Sequence, residues 1–423
     1  MKNNIVENIM QDCQWYSCNS VQYGKAGIPV GISLYIHIPF CVRKCNYCDF
    51  LSFSTSIQQK EEYINALVAE ITGWEEIINN QYPGSFIFQS VFIGGGTPTC
   101  LSPGMLLRIV QVLKPYIGED TEFTIEANPG TVSDSHIQVF KEAGINRISL
   151  GLQSAQDNEL EILGRIHTYD EFRISYNKLR KAGFDNINID IMSGIPGQTA
   201  GSYKDTLYKV LSLEPAHISA YSLIVEPGTV FYNMQEQGKL DIADEDTDRL
   251  MYYITEEILK EYGYNRYEIS NYSKPGRECI HNIAYWTGRD YLGTGLGASS
   301  YIGGCRFKGT DNYNRYIQIF GNLLNIMDMA GCIEENIGSS YEKLSLKAKM
   351  EEFMFLGLRM CKGISRKEFV ERFNISIDKV YGDVIKHFLQ NGLLAEDTDN
   401  GNIYLTGRGI DVSNYVLSDF IIS

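Results

Sequence analysis

Between residues 31 and 225, short runs rich in β-branched and aromatic residues alternate six times with longer segments of helical periodicity. No other feature restricts the chain as tightly, because such alternation is the signature of repeated βα units around a parallel sheet. The strand runs are 33–38, 90–94, 122–127, 147–153, 186–192 and 217–223, and each reads as nearly continuously apolar, as strands covered on both faces do. Segments 57–78, 103–116 and 203–213 have the length to cross back over the sheet. Six units predict an α/β fold, a partial (β/α)6 barrel short of eight-fold closure.

Chemistry in such folds sits at the carboxyl ends of the strands. There the sequence places HIPFCVRKCNYCDF, GGGTPT, EANPG, GLQS and SGIPGQT, one after each of the first five runs. After a helix near 245–262 comes a region read as irregular, containing HNIAYW and the glycine-rich 293–304. Beyond residue 340, helical stretches precede GLLAEDTDNGNIYLT, two extended runs about an Asp-Asn-Gly turn, as in a winged-helix-like α+β domain. The expected divisions are an extension over 1–30, a barrel over 31–240, a completing region over 241–339 and the C-terminal domain over 340–423.

The 37 basic and 52 acidic residues give a net charge of −15, which argues against a nucleic-acid partner or a broad surface for anionic lipid. No segment has the roughly 20 apolar residues of a membrane span, and the first residues lack an apolar signal core. A cytoplasmic protein is expected.

Ten cysteines in such a chain do not suggest a disulfide framework. Seven are scattered and read as incidental thiols, Cys100 among them. Cys41, Cys45 and Cys48 instead form CxxxCxxC on the loop leaving the first strand, close enough to serve one metal centre. A Cys3His zinc site can also be written, with His37 as the fourth ligand. Against it, His37 falls on the strand itself, and three thiols alone leave a coordination position open.

The cysteine run, GGGTPT and the six βα units resemble the radical S-adenosylmethionine (SAM) superfamily. YIHIPFCVRKCNYCDF, GGGTPT, TIEANPG, SLGLQS, LGRIHT and NIDIMSGIPGQT are similar to its oxygen-independent coproporphyrinogen III oxidase-like group, from about residue 34 to the C-terminus. Two features favour the heme-chaperone branch of that group. Phe50 stands where the oxidase has a fourth cysteine, and HNIAYW matches the HNxxYW motif at His281, Asn282, Tyr285 and Trp286.

The resemblance implies a [4Fe–4S] cluster on Cys41, Cys45 and Cys48, whose fourth iron takes the amino and carboxylate groups of SAM. It implies Gly95, Gly96 and Thr97 at the methionine end of SAM, Tyr47 beside the adenine, Tyr35 on the strand feeding the loop and Glu126 on a ribose or amino group. For Glu126 an ordinary salt bridge is the competing reading. Gln153, Arg165 and Asp190 match positions that hold a second SAM in the oxidase, and His281 is the expected heme ligand. The implied partners are heme, acceptor hemoproteins and a reductant protein, with peripheral membrane contact left open. The implied role is heme binding and transfer. Oxidative decarboxylation of coproporphyrinogen III, by a coproporphyrinogen dehydrogenase-like oxidoreductase, and radical chemistry on heme itself are the alternatives, so enzymatic status stays open.

Overall fold

The computed structural model describes residues 30–81, 86–321 and 329–421, together with Ile5, Val6 and Ile9. The rest of the expected extension, including Cys13, Trp15, Tyr16 and Cys18, lies outside the described residues. Val6 and Ile9 are buried in the main core, and the Val6 amide donates to Glu334 at 3.2 Å.

The six expected strands form as β1 (Val30–Ile38), β2 (Phe86–Gly95), β3 (Ile117–Ala127), β4 (Arg147–Gln153), β5 (Ile187–Ser193) and β6 (His217–Ser222). They pair in parallel in chain order. The shorter strands β7 (Asn265–Arg266), β8 (Asn271–Ser273), β9 (Tyr291–Thr294), β10 (Ser299–Ile302), β11 (Cys305–Lys308) and β12 (Glu342–Lys343) extend this sheet. Its order is β12-β11-β10-β9-β1-β2-β3-β4-β5-β6-β8-β7, so it is open, with β12 and β7 at its edges. The region expected to be irregular is therefore ordered. β9 joins β1 as a seventh parallel strand, 299–308 folds back as a hairpin, and HNIAYW forms a helix, Ile280–Trp286.

The strands are not uniformly apolar either. Ile32, Leu34, Ile36, Val91, Ile93, Phe123, Ile125, Ile148, Leu150, Ile189 and Ile218 alternate onto one face and join the core. Each such side chain stabilises by about 1.5–3 kcal/mol. The intervening positions carry Ser33, Ser90, Glu122, Thr124, Arg147, Ser149, Asn188 and His217, all buried, as the period of two along a strand requires. Buried polar groups persist only if they are hydrogen-bonded, and a connected network answers that need. His217 bonds Asn188 at 2.6 Å and Tyr267 at 2.8 Å, while Asn188 donates to Ser149 at 2.8 Å and to Asp190 at 2.7 Å.

The C-terminal part has its own apolar cluster, including Met354, Phe369, Ile385 and Phe388, under helices Leu346–Gly357, Arg366–Phe373 and Ile377–Gln390. A three-stranded sheet of β13 (Ile364–Ser365), β14 (Leu394–Glu396) and β15 (Asn402–Leu405) completes it, in the order β13-β15-β14. It meets the barrel where Arg359 lies 4.6 Å from the ring centre of Trp286 and where the Cys361 amide donates to the Tyr267 carbonyl at 2.9 Å. Among the described residues no helix is long and apolar enough to cross a membrane.

Candidate cluster and cofactor site

The loop after β1 is held at both ends. The Cys41 amide donates to Phe53 O at 3.1 Å, and the Phe53 amide to Pro39 O at 2.9 Å. The turn after β2 docks directly on this loop, with the Gly96 amide on Ile38 O at 2.8 Å and the Thr97 amide on Phe40 O at 2.7 Å. Side chains are excluded there: a Cβ on Gly96 would meet Phe40 O at 2.7 Å, and one on Gly95 would meet the His37 ring at 2.5 Å, at a left-handed φ of +111°. The glycines thus serve first to press the two loops together.

Cys41, Cys45 and Cys48 share one neighbourhood. Burial pushes the Cys48 thiol up, and Cys45 and Cys41 add to that rise. Among the described residues no group of three or more metal-ligating side chains is gathered for a single ion. His37 is also committed, its Nε2 to Leu51 O at 2.8 Å and its Nδ1 to the Tyr35 hydroxyl at 3.0 Å. The zinc alternative therefore loses its fourth ligand.

Beside Cys45 lies a small cleft with Cys45, Thr97, Asn128 and Arg165 in its walls. Arg165 donates through Nη1 to Cys45 Sγ at 3.7 Å and through Nη2 to Asn128 Oδ1 at 2.8 Å, while its buried Nε has no partner. The Thr97 hydroxyl lies 3.5 Å from Cys41 Sγ and accepts from Asn128 Nδ2 at 2.7 Å. Asn128 was not singled out from the sequence, although it stands within EANPG. Gln153 adopts a left-handed φ of +75° at the end of β4 and accepts from the Tyr221 hydroxyl at 2.6 Å. Such backbone strain clusters at functional positions.

Other expected residues sit deeper. Tyr47 packs on the satellite cluster of Leu163, Met192, Ile195 and Phe231, and Tyr35 lies between His37 and Phe92. Asp190 is raised by burial and accepts from Asn188 and Ser149. Among the described residues Glu126 has no salt bridge; it accepts from the Gly95 amide at 3.0 Å and is pushed up to about 8, first by burial and then by Asp190. Protonated Glu126 is thus favoured by folding, so its contribution is whole below pH 4.5 and is lost as pH rises through 8. Glu70, raised to about 7 by burial, acts in the same direction. Burial keeps His281, His167 and His217 neutral, which works the other way below pH 6.5, so we expect the cofactor-free protein to lose stability between pH 6.5 and 8 and Glu126→Gln to remove part of that slope. Denaturant melts across this range check it, and an unchanged slope would contradict the protonated Glu126.

His281 is enclosed by protein. Its ring is 1 % exposed, with Nδ1 2.9 Å from Ser90 Oγ and Nε2 3.0 Å from the Tyr285 hydroxyl. Burial, and then Arg147, lower its pKa to about 3. A neutral ring donating to Ser90 and accepting from Tyr285 satisfies every partner, since Ser90 in turn donates to Ser33. Ser33 and Ser90 pair with each other near the middle of β1 and β2. The helix carrying HNIAYW thus packs its histidine against β1 and β2, beside Tyr35 and Phe92, with both ring nitrogens on protein partners. Glu122 fixes this helix by accepting from the amides of Ile280 at 2.9 Å and His281 at 3.0 Å.

A parallel βα sheet whose first strand delivers three thiols to a glycine-shaped cleft defines a radical SAM protein. The Radical SAM superfamily profile matches residues 35–209, and the HemN C-terminal domain profile matches residues 344–412. The solved structure of coproporphyrinogen III oxidase (HemN) from Escherichia coli shares the fold, with a TM-score of 0.79 at 21 % identity, over 98 % of this chain and 93 % of that one. Heme chaperone HemW from Bacillus subtilis is 37 % identical over 92 % of this chain and 99 % of its own length, and that from Lactococcus lactis 38 % over 92 % and 97 %. The chain belongs to the HemW family. Membership implies a [4Fe–4S] cluster and SAM, and the thiol set and the partnerless Arg165 Nε fit them.

Proposed function

We propose that this protein binds heme and passes it to acceptor hemoproteins, with Cys41, Cys45 and Cys48 holding the cluster. Thr97, Asn128 and Arg165 hold the amino-acid end of SAM, and Gly95 and Gly96 shape its seat. In this reading Tyr35, Tyr47, Glu126, Gln153 and Asp190 line the remainder of the cofactor site. The cluster and SAM together supply one-electron chemistry when bound, from an electron donated by a reductant protein.

The observation carrying the heme reading is the apolar rim about this polar cleft. Val42 and Ile166, in the walls of the cleft, are 60 % and 56 % exposed, and Phe50, on the same loop after β1 as Val42, is 58 % exposed. Exposed apolar groups gathered around one opening mark a binding surface, and a flat macrocycle matches it. The relatives' name, heme chaperone, supports the same reading. Phe50 on this rim occupies the position of the oxidase's fourth cysteine.

The test is anaerobic, with reconstituted protein given heme and coproporphyrinogen III separately. We expect heme to bind and transfer to an apo-hemoprotein, with no porphyrin turnover. Catalytic protoporphyrinogen formation would replace this reading with the oxidase. His281→Ala should leave the bound-heme absorption spectrum unchanged while lowering stability by about 1–3 kcal/mol. A shifted spectrum would return the iron to His281.

A further inference from the structure

Glu159 stands on the short helix Asp157–Ile162, in the segment leaving β4, and is 2 % exposed. Its Oε2 accepts from the Ser154 hydroxyl at 2.6 Å and from Gln198 Nε2 at 2.8 Å, and its Oε1 accepts from the Ser202 hydroxyl at 2.6 Å. Every one of these partners donates, so the position calls for a group that only accepts. Ser154 follows Gln153, whose left-handed backbone ends β4, while Gln198 and Ser202 belong to the loop and helix after β5. Glu159 thus ties two strand-end loops together. The far end of its helix reaches the cofactor cleft. The Arg165 amide donates to Leu160 O at 2.9 Å, and its guanidinium donates to Gly151 O at 2.5 Å and to Asn128 at 2.8 Å. The Ile162 and Leu163 carbonyls accept from the side chain and the amide of Asn46, both at 2.9 Å, between Cys45 and Tyr47. Asp157, Asn158, Glu161 and Ile162 are exposed, which leaves Glu159, Leu160 and Leu163 to hold the helix down.

We propose that Glu159 is a positioning residue for SAM: by fixing this helix it sets the Arg165 guanidinium where the amino-acid end of SAM is held. This rests on the role given to Arg165 above. The helix has 6 residues and is too short to be stable alone, so its place depends on what it is tied to. Leu160 and Leu163 already supply apolar anchoring, and a buried carboxylate costs more to keep than another apolar side chain. What the carboxylate adds is direction, because fixed donors on two loops determine the rotation and height of the helix. Residues that orient a ligand-holding group change affinity about 10–100-fold when replaced, as outer-shell partners of metal sites do. Glu159→Gln turns an amide N–H toward a donor and should weaken SAM binding about tenfold.

Wild type, Glu159→Gln, Arg165→Met and the double variant are reconstituted anaerobically, and iron, sulfide and circular dichroism are measured first. Equilibrium dialysis then gives the SAM dissociation constants. Glu159→Gln should raise the constant about tenfold with iron and sulfide at wild-type content. In the Arg165→Met background the same change should add less than about twofold, because a residue acting through Arg165 has nothing left to orient. Wild-type affinity in Glu159→Gln overturns the proposal alone. So does a loss of equal size in both backgrounds, which is what a merely structural role produces. Wild-type affinity in Arg165→Met overturns the SAM role of Arg165 and the proposal with it. If Glu159→Gln fails to fold, Ser202→Ala, which keeps the carboxylate and removes one donor, decides by the same cycle. Arg165→Lys, which keeps the charge without the fork, stands in for Arg165→Met in the same way.

Discussion

Replacing Cys41, Cys45 and Cys48 together by alanine should leave a folded protein that holds no cluster iron or sulfide after anaerobic reconstitution. The three side chains stand half-buried on a loop whose course is set by backbone bonds to Pro39 and Phe53 and by the docked turn at Gly96 and Thr97. None is among the buried residues of the apolar core. Changes at such positions are usually within ±0.5 kcal/mol, so the melting midpoint of the cluster-free forms should differ by no more than about 2 °C. Iron and sulfide analysis with circular dichroism reads both halves. Stoichiometric zinc in the unmodified protein, with no sulfide, would remove the cluster. A triple variant that does not fold would show that the loop is part of the core after all.

Glu122→Ala should be the most damaging single change away from the cysteines. Glu122 is 7 % exposed, and its carboxylate accepts from two helix-start amides and from the Cys279 thiol at 3.4 Å. It is also one of the acidic groups that hold up the pKa of Arg147, whose side chain is fully buried and whose Nε has no hydrogen-bond partner. Alanine strands both amides and removes a charge facing a buried cation, a loss of about 3–5 kcal/mol. The midpoint should fall by roughly 5–10 °C, while the carboxyl-end cleft keeps its cluster. Thermal melts and iron content check this, and a midpoint within about 2 °C of wild type would contradict the role given to Glu122.

Strand β4 shows how much could be read before folding. Its bounds, 147–153, agree with those expected from the sequence, because a β-branched run between turn signals is a local property. The same run, RISLGLQ, was taken as apolar throughout, yet Arg147, Ser149 and Gln153 face the interior while Ile148, Leu150 and Leu152 join the core. Period-two alternation was present in the letters. Small and polar residues on the inner face were masked by their aliphatic neighbours.

Cys100 and His281 mark the opposite limit. One has no cysteine near it in sequence yet lines the same cleft as Cys45, because the turn after β2 docks on the β1 loop. The other carries a motif that suits heme, but its ring is closed off between Ser90 and Tyr285.

By itself the sequence determined the repeating βα units, the carboxyl-end location of the chemistry and the three thiols of the cluster run, since each depends on residues close together in the chain. Tertiary structure alone decided which face of each strand is polar, that 291–308 extends the sheet and that HNIAYW packs as a helix on β1 and β2. Those features depend on strand pairing and on contacts between residues tens to hundreds of positions apart, as Glu122 with His281 and Cys41 with Thr97 show. Local periodicity does not encode such contacts; they appear only when packing brings the two segments together.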